Sequence, residues 1–494
     1  MAHHVFFRRL AAIGTSAAML SGCAGLPGWN VSSSNSALTK NLVTTGTLAL
    51  PERYDAAGKV PTTQGAITAW WEGFGDPALM QVVTQTLMNN SDIAIAHARV
   101  AQAQAVLAGT HAAGRPRMEL GAGATGSRSS LGDPSRAGQP GPIDRNTTSV
   151  QAGSTLTWEW DVFGRQTQAL SASQQRLLSR QAALAATQLM VASEAARIVI
   201  EIRTLQQQRG LAAETHGIDR EAGDVATVRF NAGLEPQLDT LRAQALLRGS
   251  AAEVQRLIAA LADAQRALAI LASVTPSQID DWLRTGAALT LGEVPVWQMP
   301  NMPPAGVPSD LLRRRPDVLQ AQADLQAASA DLAAVMAERW PRFNLAATLG
   351  WVAASVASLG KASALAASLA PSINWTAWDS GALNARIDQQ SAQQREALAR
   401  YQQLVMQAFA EAETAMKQRE QYRAEVAERV QATQAAAQTQ KLAQSQFNGG
   451  LTDWVKTVDA RRTRIAALSA EVLARQQQAL AQVALYRAMG GSWP

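Results

Sequence analysis

Residues able to do chemistry are few and far apart in this chain. His3 and His4 lie at the extreme N-terminus, and His97, His111 and His216 are separated by long helical stretches, which gives no metal-ligand spacing. Asp280-Asp281 has no partner at a useful interval and reads as a solvated turn. Met299 and Met302, set among prolines, read as a flexible contact rather than a copper site. No nucleophile, base and orienting acid share a motif, so the sequence predicts no enzyme, no metal and no bound cofactor. One thiol remains. Cys23 follows Leu20-Ser21-Gly22, and before these Arg8 and Arg9 precede an apolar run to Leu20, too short to span a bilayer but right for a secretory signal. Small residues before a cysteine form a bacterial lipid-attachment signal, so the chemistry predicted at Cys23 is thioether lipidation, a covalent lipid in place of a cofactor. Ala24, where an aspartate would favour inner-membrane retention, points to the outer membrane.

The elements behind this anchor come in two copies. Phe230-Asn231-Ala232-Gly233-Leu234 recurs as Phe447-Asn448-Gly449-Gly450-Leu451, 217 residues later, and Trp160 to Gly164 matches Ala377 to Gly381 at the same offset. Upstream, Ser91 to Arg117 pairs with Pro316 to Arg342 at an offset of 225, so eight residues are missing from the connection in the second copy. Each Phe-Asn motif lies between two long helical patterns, where glycine supplies backbone freedom that a continuous helix has no use for. Each reads as the tip of a helical hairpin. Val191, Ala195, Ile198, Ile202 and Leu205 recur at steps of four and three, and Leu247, Ser250, Val254, Leu257, Leu261, Ala264, Leu268 and Leu271 keep the beat after the tip. A helix from Arg165 to Asn231 is about 100 Å long at 1.5 Å per residue, the length of a strut rather than a compact core.

Short alternating segments interrupt the helices: 119–127 and 149–158 in the first copy, 343–351 and 369–377 in the second, the latter pair flanking a loop over 355–368. Each has the length of an outer-membrane strand. Four strands cannot close a barrel, and open edges are not tolerated in lipid, so the sheet must be completed by other copies; three give twelve strands. The chain divides into a signal (1–22), a lipid-anchored extended segment (23–75), a first repeat (76–289), a linker (290–309), a second repeat (310–489) and a tail (490–494). Charged residues are 17% and aromatics 5% of the chain. The formal charge of +5 falls by two, to +3, when Arg8 and Arg9 leave with the signal, which is too weak for a nucleic-acid surface. The basic run Arg313-Arg314-Arg315 reads as the solvated approach to a helix.

These motifs, together with Trp70 to Leu79, Leu312 to Val318, Trp340-Pro341 and the ending Ala484 to Gly491, resemble the TolC-like outer-membrane efflux factors, in the lipoprotein branch called NodT-type. The resemblance implies a mostly α fold with a membrane β-barrel portion, internally duplicated: a homotrimer with a twelve-stranded barrel continuous with a periplasmic α-barrel. It implies a passive exit duct for drugs, toxic compounds or metal ions. These would be delivered by an inner-membrane resistance-nodulation-division pump through a periplasmic adaptor. It also places the constriction at the second tip, beside Trp454, with Val455 at an apolar ring and Asp459 at an acidic ring. Lys456 stands where some relatives carry a second acid, which argues against a two-ring cation trap. Pairing of Asp459 with Arg461 or Arg462 is the competing reading for that residue. The competing function, a non-channel periplasmic coiled-coil adaptor or structural envelope lipoprotein, needs one hairpin in sheet-rich domains, whereas this chain has two hairpins and two strand pairs. Replacing Cys23 with serine behind a different cleavable signal is expected to abolish incorporation of labelled palmitate while leaving a folded oligomer; label retained by that variant refutes the anchor.

Overall fold

The structure, a computed structural model, describes residues 69–128, 130, 145–284, 297–298 and 314–491. Cys23, the signal, most of the extended segment and of the linker, and residues 492–494 lie outside these. In chain order the elements are a short 3-10 turn (Trp70–Phe74), α1 (Pro77–Asn89), α2 (Ser91–Ala113), β1 (Arg117–Arg128), β2 (Asn146–Trp160), α3 (Arg165–Asn231), α4 (Gln237–Ala272) and α5 (Pro276–Arg284), then α6 (Pro316–Ala337), β3 (Arg342–Ala353), β4 (Leu365–Asn374), α7 (Ala382–Asn448) and α8 (Trp454–Ala488). The duplication is visible in the lengths: α3 and α7 are both 67 residues long, and α3, α4, α7 and α8 start at the offset of 217. Asp280 and Asp281 lie within α5 rather than in a turn, because Pro276 starts a helix there; Gln265 donates to Asp280 at 2.8 Å.

Compactness divides the chain differently from the duplication, since each of two units draws on both repeats. The sheet unit takes Ala113–Ala169 and Ser329–Gln390. Its strands are antiparallel in the order β1-β2-β3-β4. The seam between repeats is the β2–β3 pair, where Gly153 faces Gly350. A methyl on Gly153 would stand 2.7 Å from the Gly350 Cα, so no side chain fits at this crossing. The fourth strand begins and ends earlier than the expected 369–377. Its Ala, Ser and Leu run carries no alternation to mark an end, and pairing on β3, from Arg342 opposite Asn374 to Trp351 opposite Leu365, sets the limits instead. Pro371 is admissible because β4 is an edge strand. The loop shortens to 354–364, with two 3-10 turns and Gly360 at φ 83°.

Pairing settles the two faces of the sheet, which the sequence left open. Side chains of directly opposed residues share a face. Met118, Leu156, Trp158, Trp160, Phe343, Leu345, Leu349, Trp351, Leu365, Leu369 and Ile373 therefore fall on one side, and Arg117, Glu119, Thr155, Thr157, Asn344, Thr348, Ser368 and Ser372 on the other. On the polar side hydroxyls pair across strands, Thr348 with Ser368 at 2.6 Å and Ser127 with Thr147 at 2.7 Å. On the apolar side Ser154 gives its hydroxyl to the Leu349 carbonyl at 3.3 Å.

The helical unit is built on the predicted seam: Val191, Ala195, Ile198 and Ile202 of α3 are buried, as are Leu257, Ala264 and Leu268 of α4. Asp76 caps α1, accepting from the Ala78 and Leu79 amides, and receives Arg203 Nε at 3.1 Å. Trp70 stacks on Tyr486 at 5.3 Å, tying the start of the described chain to its end. The basic run is not all solvated, which corrects the sequence reading. Arg315 is buried, donating to Asp317 at 2.7 Å, Glu411 at 2.8 Å and the Ala488 carbonyl at 3.3 Å. Burial opposes its charge, but the hydrogen bonds and attraction of Asp317 and then Glu411 outweigh it and raise its pKa.

The face assignment is checked by placing charge on the apolar side and neutral polar groups on the other. Leu345→Arg or Leu349→Arg is expected to lower the stability of the assembled protein by about 2–4 kcal/mol near mid-membrane. Ala346→Gln and Thr348→Asn, on the opposite face, should leave the unfolding midpoint in detergent unchanged. Equal losses from both sets would overturn the assignment.

Candidate functional site

The two hairpin tips end their first helices in the same way. At the first, Gly233 N–H donates to Phe230 O and Leu234 N–H to Arg229 O, both at 2.9 Å; at the second, Gly450 donates to Phe447 O at 2.9 Å and Leu451 to Gln446 O at 2.8 Å. These are paired bonds of a glycine-closed helix end, with φ 74° at Gly233 and 70° at Gly450. Gly449, the twin of Ala232, has no positive φ. So one glycine per tip meets a backbone demand, and it terminates the helix rather than loosening it. Asn448 accepts from Gln444 at 3.1 Å, and Asn231 ends α3 as its twin. Phe230, Leu234, Phe447 and Leu451 are all exposed, an apolar tip on each hairpin.

Beyond the second tip, Asp453 caps α8 by accepting from the Lys456 amide at 3.0 Å. Trp454 is half-buried and packs on a cluster of Leu211, Ile218, Val458, Ile465 and Val472 between α3 and α8. Burying Thr457, Val458 and Ala460 together turns the other side of the helix outward, and Val455, 57% exposed, and Asp459, also exposed, share that side one turn apart. Lys456 is exposed beside them.

Asp459 does not pair with the arginines that follow it. Arg461 binds Glu221 at 2.5 Å, Arg464 binds Glu214 at 2.7 Å, and Arg462 binds the buried Asp219, with Nε at 3.1 Å. This ladder joins α8 to α3 across 240 to 250 residues of sequence. Sequence reasoning missed its acids. The one available signal was three arginines within four positions, which says that partners exist but not where. Among the described residues no cluster of three or more metal-ligating side chains occurs; His97 and His111 are exposed, and His216 stands 3.3 Å from the Ser250 hydroxyl.

An internally duplicated chain with a four-stranded amphipathic sheet and paired long hairpins defines an outer-membrane channel architecture, and comparison with known proteins agrees. The family model "Outer membrane efflux protein" matches residues 82–274 and 307–491, and the chain belongs to that family. It is similar to the pyoverdine export outer membrane protein OpmQ of Pseudomonas aeruginosa, 29% identical and covering 90% of this chain and 92% of that one. Nodulation protein T of Rhizobium leguminosarum bv. viciae is 26% identical over 90% of this chain and 88% of its own. Among solved structures, the outer-membrane channel OprN superposes with a TM-score of 0.77 at 29% identity, covering 90% of this chain and 96% of that one. The Campylobacter jejuni CmeC channel shares the fold with a TM-score of 0.78 at 20% identity, over 89% and 92% of the two chains. The protein is thus an outer-membrane efflux channel of the kind that serves tripartite pumps.

The tip geometry separates its two glycines. Gly450→Ala forces a methyl into the left-handed region and is expected to cost about 1–2 kcal/mol locally, seen as faster limited proteolysis at 448–453. Gly449→Ala meets only ordinary contacts, 3.5 Å from Ser445 O at nearest, and should leave cleavage unchanged or slower. Equal sensitivity at both would refute the helix-end account.

Proposed function

We propose that three copies of this chain form a passive exit duct whose periplasmic end is narrowed at the second hairpin tip. The observation that carries this reading is the shared outward side of Val455 and Asp459 on a helix whose arginines at 461, 462 and 464 are already engaged by α3. Around a threefold axis the valines make an apolar collar that a thin water column crosses reluctantly. One turn further in, three aspartates crowd like charges and favour cations passing through. Lys456 at the rim leaves a single acidic ring.

Closure of the sheet supports the same oligomer. β1 and β4 each have one paired side, and in hydrocarbon an unpaired strand edge has no water to bond. Three sheets joined edge to edge give twelve strands with the apolar face outward to lipid. Trp158, Trp160, Phe163, Trp340 and Phe343 gather in stacked or tilted pairs where strands meet helices, the position of an interfacial aromatic girdle. Lipid on Cys23 would add a second hold on the membrane. The exposed apolar tips suit a periplasmic adaptor, and the inner-membrane resistance-nodulation-division pump supplies both energy and most of the choice of substrate. The repeats at 76–289 and 310–489 then act as two near-equivalent staves of the duct wall.

The test is conductance of the purified oligomer in a planar bilayer without partners. Val455→Ala and Asp459→Ala are each expected to give larger or more frequent openings than wild type, and the double variant the most. Wild-type conductance in all three removes the constriction from this tip.

A further inference from the structure

The duplication relates helix pairs as well as helices, and only one of two equivalent pairs is formed within the chain. Near the tips α3, the first helix of one hairpin, packs on α8, the second helix of the other. The register is set by Gln208 bonded to Ser469 at 3.0 and 2.7 Å and by Glu214 paired with Arg464. At this level Leu211 and Ile465 belong to one buried cluster. The equivalent pair joins α7, the first helix of the second hairpin, to α4, the second helix of the first. Among the described residues no hydrogen bond or ion pair connects α7 to α4, and their tip halves are largely exposed.

Moving the α3–α8 contacts by 217 residues shows what that missing pair would bring together. Leu211 maps to Glu428 and Ile465 to Arg248, so an apolar contact in one pair becomes an acid facing a base in the other. The ionic ladder maps to neutral residues: Glu214 and Arg464 to Gln431 and Leu247, Asp219 and Arg462 to Ala436 and Ala245, Glu221 and Arg461 to Gln438 and Gln244. The surroundings isolate the charged pair further. On α4, Asp239 pairs with Arg242, Glu253 with Arg256 and Asp263 with Arg266, which leaves Arg248 as the one charge of that helix without a partner among the described residues. On α7 beyond residue 419, Glu420 pairs with Arg423 and Glu425 with Arg429, which leaves Glu428 as the one acid of that stretch without a partner among the described residues.

We propose that these faces meet between copies of the chain: α4 of one copy packs on α7 of the next, with Arg248 paired to Glu428 and Gln244 level with Gln438. This deepens the oligomer proposed above and rests on it. A contact that repeats head to tail, using different surfaces of each copy, closes into a ring when the rotation allows, as three copies require. The two seams then differ in kind. Within a copy α3 and α8 are held by three ion pairs over an apolar cluster, whereas between copies amides and alanines surround a single ion pair. The seam between copies is the weaker one, so α3 and α8 stay together and tip opening runs along the α4–α7 seam.

The test uses reciprocal charge exchange in the full-length protein, read as the temperature at which the purified trimer dissociates in detergent. Arg248→Glu and Glu428→Arg are each expected to lower it, and the combined exchange to recover most of the loss. A parallel measurement coexpresses differently tagged chains carrying Gln244→Cys or Gln438→Cys and treats them with a short bis-maleimide; a crosslinked heterodimer, absent when either variant is expressed alone, is the expected product. No recovery in the combined exchange and no heterodimer, with a trimeric wild type, overturns the seam alone. A wild-type chain of monomeric mass in detergent overturns the trimer, and the seam with it.

Discussion

Hydrocarbon contains nothing that can hydrogen-bond to a peptide group, and that constraint governs the architecture of this chain more than any side-chain contact. Each of the four strands satisfies its backbone only through a neighbour, and the sheet ends at β1 on one side and β4 on the other. The β4 edge carries no charged residue, and Pro371 is its one feature of the kind that protects a soluble sheet edge. The amphipathic sheet, the aromatic cluster at its helix-bearing end and the duplication itself all suit a wall of the kind proposed above, which other copies complete. The junction between repeats, at Gly153 and Gly350, lies inside that wall, where a side chain on either residue would part the strands.

Duplication explains the plan of the chain, and departures from it show where the two hairpins differ. Twin positions agree where geometry is required: the helix-closing Gly233 and Gly450 and the 67-residue helices. They differ where the two hairpins have different tasks. The second helix of the second hairpin starts at a capping Asp453 and carries three arginines that bind α3, whereas the first hairpin has Pro236 and uncharged residues at those places. Anchoring α8 in this way fixes which of its sides is free, and Val455 and Asp459 lie on the free one.

Much of this was legible in the chain because the signals are local or periodic. The tips follow from Phe-Asn-x-Gly-Leu between helical patterns, the seam from apolar steps of four and three, and the first three strands from alternation; each depends on residues within a few positions of one another. The start of β4 was not legible, since its Ala, Ser and Leu run has no period, and only pairing with β3 gives it ends. The burial of Arg315 was equally hidden, because Glu411 and the Ala488 carbonyl that receive it are 96 and 173 residues away.

The sequence by itself determined the duplicated plan, the helix lengths and the identity of the tip residues, because backbone preferences and hydrophobic periods act over short range. Tertiary structure alone decided which sheet face is apolar and that Arg461, Arg462 and Arg464 serve α3 rather than Asp459. Those outcomes depend on register and on partners more than 200 residues apart, and no local pattern encodes which of several acids a given arginine will meet.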